Sequence, residues 1–162
     1  MANSLGMTIS RIKWGYSGKG TRTLSSPLPV GASEVFKDAG GHFVWFDTSR
    51  RIEVAGSGNN PDAGAYILGW AECGEFTASS TEGGDTIPVD TSTESQYWMP
   101  ADAAVTADMI GKTCDLITTS NVQYADVGES NEDYIVIDDV DITNQAVLVH
   151  MNESKVYRTG IA

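Results

Sequence analysis

An all-β fold, an antiparallel β-sandwich or β-barrel-like domain with one short helix and an extended N-terminal arm, is what this sequence predicts. Three observations carry that expectation. From residue 42 onward, short stretches rich in β-branched and aromatic residues recur at roughly the 8–12-residue intervals of antiparallel strands. The segments between them, "GSGNNPDAG", "SSTEGGD", "TTSN", "GESNED" and "TNQ", are turn chemistry. A single stretch, "ADAAVTADMIGK", reads as helical, with Thr106 placed to cap a turn and Gly111 to end it.

Taken in order, residues 1–33 read as an arm. "GYSGKGTRTLSSPLPVGAS" resists helix through Gly15, Gly18, Gly20 and Gly31, and its Pro27-x-Pro29 favours extended backbone. Apolar residues at intervals (Leu5, Ile9, Ile12, Trp14, Tyr16, Leu24, Leu28) suit a segment that lies along a partner or adds a strand to its sheet edge. The candidate partner-binding residues are Arg11, Lys13, Trp14, Tyr16 and Arg22, the apolar side chains docking and the basic ones steering. A β domain is expected over residues 34–162. Its strands are read from "HFVWFD", "RIEVA", "AYILGWAECGEF", "TIPV", "QYWM", "CDLITT", "NVQYADV", "YIVIDDVDI", "AVLVHM" and "KVYRT". Gly69 and Gly74, inside the third of these, suggest a bulge or a close neighbour.

A chain of 162 residues suits one domain plus an arm. Its net charge of −12 is unevenly spread. Residues 1–51 carry seven basic and three acidic side chains, a balance of +4, whereas residues 52–162 carry three basic and nineteen acidic, a balance of −16. A body so acidic repels phosphate, so no nucleic-acid partner is expected. No apolar run is long enough to span a bilayer, and the first residues lack the apolar core of a secretory signal, so synthesis in a cytoplasm without membrane insertion is expected. Cys73 and Cys114 stand without a CxxC and read as small hydrophobes; a bridge between them is not predicted.

Catalytic and metal motifs are imitated in this chain but not matched. "VWFDTS" at Asp47 and "IPVDTS" at Asp90 imitate the aspartic-protease pattern, but they lie in a chain without two repeated lobes and carry Ser where that pattern has Gly. Asp-Thr-Ser is also ordinary turn material. "YADVGESNEDYIVIDDVD" is dense in carboxylates, yet "DVGESNEDYIVI" places Gly128 third rather than sixth, so the helix-flanked calcium loop is not matched. Its acids fall at strand ends and turns, where they are expected to face water. His150, within "AVLVHM", reads as a strand position. No catalytic residue, metal ligand or cofactor is predicted, and the chain is not expected to be an enzyme. The tryptophans at 14, 45, 70 and 98, with Tyr66, Tyr97, Tyr124, Tyr134 and Tyr157, could line a sugar-binding face of a β-sandwich or fill its core.

The order of "FKDAGGHFVWFD", "ILGWAECGEFTASSTEGGDTIPV", "YWMPADAAVTADMIGKTCDLI" and "NVQYADVGESNEDYIVIDDVDITNQAVLVHM" resembles the small capsid decoration, or cement, proteins of tailed double-stranded DNA bacteriophages. The resemblance covers about two-thirds of the chain and rests on a pattern of short strands, not on a chemical motif. It implies a non-enzymatic virion protein, a homotrimer on the outer surface of an icosahedral head, whose partner is the major capsid protein. The alternative is a β-sandwich module binding carbohydrate or a host surface, also displayed on a virion.

Overall fold

The computed structural model describes residues 14–38, 40–56, 66–129 and 132–156. Among them run fourteen strands. These are β1 (Gly15–Tyr16), β2 (Leu28–Pro29), β3 (Val35–Phe36), β4 (His42–Phe46), β5 (Ile52–Val54), β6 (Gly69–Ala71) and β7 (Phe76–Thr77), followed by β8 (Thr86–Ile87), β9 (Val89–Asp90), β10 (Tyr97–Pro100), β11 (Thr113–Thr119), β12 (Val122–Asp126), β13 (Ile135–Asp141) and β14 (Ala146–Met151). The fold is all-β, and every strand pair is antiparallel. No helix among the described residues is long and apolar enough to cross a membrane.

The larger sheet has the order β1-β10-β14-β13-β11-β12. It curls on itself, so that Ala101, just past β10, bridges Ala125 in β12. The β11–β12 connection is a two-residue hairpin in which Ser120 and Asn121 both take positive φ, the backbone that matches strand twist. The second sheet, β5-β4-β6-β9, lies with one face against the curled sheet. Short ladders β2–β8 and β3–β7 cover its other face.

This layering explains why "HFVWF" reads as a continuous apolar run: β4 is covered on both sides. Phe43 and Trp45 point into the core shared with the curled sheet, and Val44 into the second core with Val30, Phe36, Ile52 and Val89. The aromatic side chains meet in the first core. Trp70 stacks on Tyr97 at 4.4 Å between centroids, and Phe43 meets Trp70 edge-on at 4.7 Å. Burying a large apolar side chain such as Phe43 contributes about 1.5–3 kcal/mol by area alone, and well-oriented ring pairs add to it.

The two sheets are also stitched by one polar side chain. Gln123 on β12 is buried, donates from Nε2 to the Phe43 and Ala55 carbonyls, and accepts the Phe43 N–H at Oε1. The amide thereby satisfies the Phe43 N–H and adds a second donor to the Phe43 carbonyl, which already accepts the Ala55 N–H.

The helix expected within 101–112 is one 3-10 turn, Ala107–Met109. Thr106 stands at its N-cap as predicted, but its hydroxyl bonds the Asp108 carboxylate instead of a backbone N–H, and Gly111 at φ +88 ends the segment. Of the strand expected over "KVYRT", residues 157–159 lie outside the described residues; before them Glu153–Lys155 form a second 3-10 turn, capped by Asn152 accepting from the Ser154 N–H, and Val156 bridges Ile67. The stretch "AYILGWAECGEF" divides into β6 and β7, with Gly74 at φ +74 between them. Gly69 is a close-approach position, since a Cβ there would sit 2.1 Å from the Asp90 carbonyl oxygen.

The largest departure concerns the arm. Residues 14–30 are extended as expected, yet they run antiparallel along residues 85–98 of the same chain. Gly15 pairs with Trp98, the Ser17 N–H reaches the Gln96 carbonyl, Leu24 bridges Asp90, and Leu28 pairs with Ile87. Val30 is buried in the second core. The segment is a strap along β9 and β10, the outer strands to which it adds, so the chain's own sheet edge takes the strand that the sequence reading offered to a partner. A boundary at residue 33 therefore does not separate the described part of the arm from the β domain.

Candidate functional site

Of the five candidate partner-binding residues, Arg11 and Lys13 lie outside the described residues. Trp14, Tyr16 and Arg22 all act within the chain. Trp14 packs on the first core and donates its indole N–H to the Gly41 carbonyl at 3.2 Å. Gly40 makes room for it, since a Cβ there would lie 2.1 Å from the indole ring. Tyr16 tilts against Tyr97 at 5.7 Å, and its hydroxyl donates to the Gly20 carbonyl. Arg22 lies over the Tyr16 ring, 4.6 Å from the centroid, and pairs with Glu72 at 2.7 Å.

The Arg22 side chain also reaches Asp90, which sequence reasoning treated as turn material. Asp90 is fully buried. Its Oδ1 accepts the N–H groups of Thr23 and Ser92, and its Oδ2 accepts from the Tyr97 hydroxyl and from Arg22 Nε. One buried carboxylate so collects donors from the strap, its own turn and β10, which is how such a charge is tolerated in a core. Asp47, the other Asp-Thr-Ser aspartate, does fit the turn reading and accepts the N–H groups of Ser49 and Arg51.

Where the strap crosses in front of β13 and β14 it forms one wall of an open groove of about 450 Å³, lined by Gly20, Thr21, Thr93, Glu94, Gln96, Asp138 and His150. Alternation on β14 sends Val147, Val149 and Met151 into the core and leaves His150 on the other face. Asp138 arrives through a β-bulge. The register slips between Ile137 and Asp139, which allows Ile135, Ile137 and then Val140 to contact the core across an odd spacing and swings the extra residue outward. Asp138 Oδ2 lies 2.7 Å from His150 Nδ1 and accepts from Gln96 Nε2 at 2.8 Å. Sequence reasoning placed His150 on a strand correctly, but not its partner. The odd spacing in "IVIDDV" was the one available sign of the bulge.

An aspartate upstream of the acidic stretch is tied to the turn within it. Asp115 is buried and accepts the N–H groups of Glu132 and Asp133 at Oδ1, and Asp133 accepts the Thr113 hydroxyl. Asp115 and Asp126 face each other across the β11–β12 ladder. Burial, and after it the neighbouring Asp102 carboxylate, pushes Asp126 up to about 6. Within the acidic stretch Asp126 and Asp133 are half-buried on a ladder and at a turn, whereas Glu129, Glu132 and Asp139 are exposed, as expected. Among the described residues no three His, Cys, Asp or Glu side chains are grouped so as to hold a metal ion.

Trp45, Trp70, Tyr97 and Tyr134, considered for a sugar-binding face, are buried in the core. Both cysteines are free, Cys114 buried and Cys73 half-buried, and burial pushes their thiols up to about 12 and about 11. No family model, no curated protein and no solved structure matches the chain.

Proposed function

We propose that the protein is a capsid decoration protein, acting by binding and not by catalysis. It attaches to the outer surface of an icosahedral phage head as a homotrimer and stabilises the lattice of major capsid protein. The single observation that carries this reading is the strap. Pinned through Trp14, Arg22 and Val30 to an acidic β body, it tethers the thirteen residues before it, with Arg11, Lys13, Leu5, Ile9 and Ile12, to a fixed point at the edge of the curled sheet. A basic, partly apolar segment on a rigid acidic body suits attachment at one end and exposure to solvent at the other.

A protein that binds only the assembled lattice stabilises it by mass action at every occupied position. Three such segments in one trimer would engage together and add avidity. The test follows from the strap's position. Removing residues 1–33 would take β1 and Val30 with it and unfold the body, whereas removing residues 2–13 leaves every described contact in place. The shortened chain is expected to lose co-sedimentation with heads stripped of the native protein while keeping its unfolding midpoint and its trimeric mass by light scattering. Retained co-sedimentation, or a monomeric full-length chain, rejects the reading.

A further inference from the structure

We infer that the groove between the strap and the β13–β14 face is a binding site for a guanidinium group, presented as an arginine side chain by a partner protein. The inference rests on which hydrogen-bonding atoms the groove has already used. An aspartate oxygen can only accept, so the 2.7 Å contact between Asp138 Oδ2 and His150 places the imidazole proton on Nδ1. In the tautomer that carries its proton on Nδ1, Nε2 is an acceptor, and Asp138 is the only partner His150 has among the described residues. Gln96 spends an amide N–H on the same Asp138 oxygen. What it turns outward is weighted to its carbonyl Oε1.

The second Asp138 oxygen and Glu94, an exposed residue of the groove's lining, add further acceptors. The Thr21 and Thr93 hydroxyls can serve either way. A 450 Å³ space with two carboxylates, an imidazole nitrogen and an amide oxygen thus seeks a ligand rich in donors and positive in charge. A guanidinium supplies five N–H donors in a planar fork and is more weakly hydrated than an ammonium, so it satisfies several convergent acceptors at less desolvation cost. The −16 balance of residues 52–162 draws a cation toward this face. The groove is also rigidly built: the bulge fixes Asp138, and the Gln96 backbone is held on both sides, its carbonyl accepting from the Ser17 N–H and its N–H donating to the Lys19 carbonyl. This assignment stands independently of the capsid reading.

The experiment titrates N-acetyl-arginine N-methylamide into the full chain and follows the imidazole nitrogens by NMR. The chain has two histidines, and His42, fully buried on β4, serves as the internal reference. The lysine counterpart, a methyl glucoside and calcium chloride are run in parallel. Expected is a saturable shift at His150 and none at His42, with a dissociation constant on the order of 1–10 mM for a single exposed side chain. Glu94→Gln and Asp138→Asn should each weaken binding by roughly threefold or more. Asp108→Asn, an exposed carboxylate outside the groove, should leave it unchanged. Absence of a saturable shift, equal response to the lysine compound, or a stronger response to the glucoside or calcium overturns the assignment. Because Glu94 is exposed, its variant reports even if Asp138→Asn disturbs the bulge.

Discussion

Arg22 Nε lies 3.4 Å from Oδ2 of Asp90, a partly exposed cation on the strap reaching a carboxylate with no exposure at all. Asp90 also receives the Thr23 and Ser92 N–H groups and the Tyr97 hydroxyl, so the two partners are unequal. Asp90→Ala orphans several buried donors at once and is expected to cost about 3–5 kcal/mol in urea unfolding. Arg22→Ala, which leaves Asp90 with its remaining donors, should cost closer to 1 kcal/mol. Equal losses for the two variants would show that the carboxylate is not the hub.

Close approach of the strap gives a second prediction. A Cβ on Gly20 would lie 1.9 Å from the Glu94 carbonyl oxygen, whereas one on Gly18 meets nothing within 4 Å, and both residues have φ near +85. Gly18→Ala should therefore show only the backbone cost of about 1 kcal/mol. Gly20→Ala adds a clash with backbone that cannot yield, and should be clearly more destabilising in the same unfolding measurement. A Gly20→Ala variant no weaker than Gly18→Ala would mean that the strap is not seated against residues 94–96.

Gln123 carries the third. Gln123→Leu fills the same volume but strands the buried Phe43 N–H and loses the bonds to the Phe43 and Ala55 carbonyls. The expected loss is about 2–4 kcal/mol by chemical denaturation. A near-neutral substitution would indicate that packing alone joins the two sheets.

Stability should also depend on pH with a definite sign. Burial, followed by the Glu53 carboxylate, pushes Glu34 up to about 7 from 4.5. A group whose folded pKa is raised contributes stability that is complete below its unfolded value and lost as pH climbs through the folded one. For Glu34 that window runs from 4.5 to about 7, and for Asp126, raised in the same sense, from 3.8 to about 6. The melting temperature is therefore expected to fall between about pH 4 and about pH 7, with Glu34→Gln flattening the upper part of the slope and Asp126→Asn the lower. A Glu34→Gln protein that retains the wild-type slope contradicts this assignment.

The strand pattern was legible because it is local. Period-2 alternation, β-branched runs and turn residues such as Ser120-Asn121 act over a few residues, so β11 to β14 and their connections could be read directly from the chain. The extended backbone of residues 14–30 was legible for the same reason, through its glycines and prolines. What the strap pairs with was not, because a free edge accepts any strand of suitable length, and only the closed fold shows that β9 and β10 of the same chain are within reach. The carboxylates divide likewise. Composition counted them and placed them near turns, but Asp90, Asp115 and Asp138 differ in burial and partners because residues distant in sequence, Arg22, Glu132 and His150 among them, converge on each. Short-range preference determined which segments are strands; long-range packing, which pairs an aspartate with a histidine twelve residues away across a bulge, decided where this protein has a hub and where it has a groove.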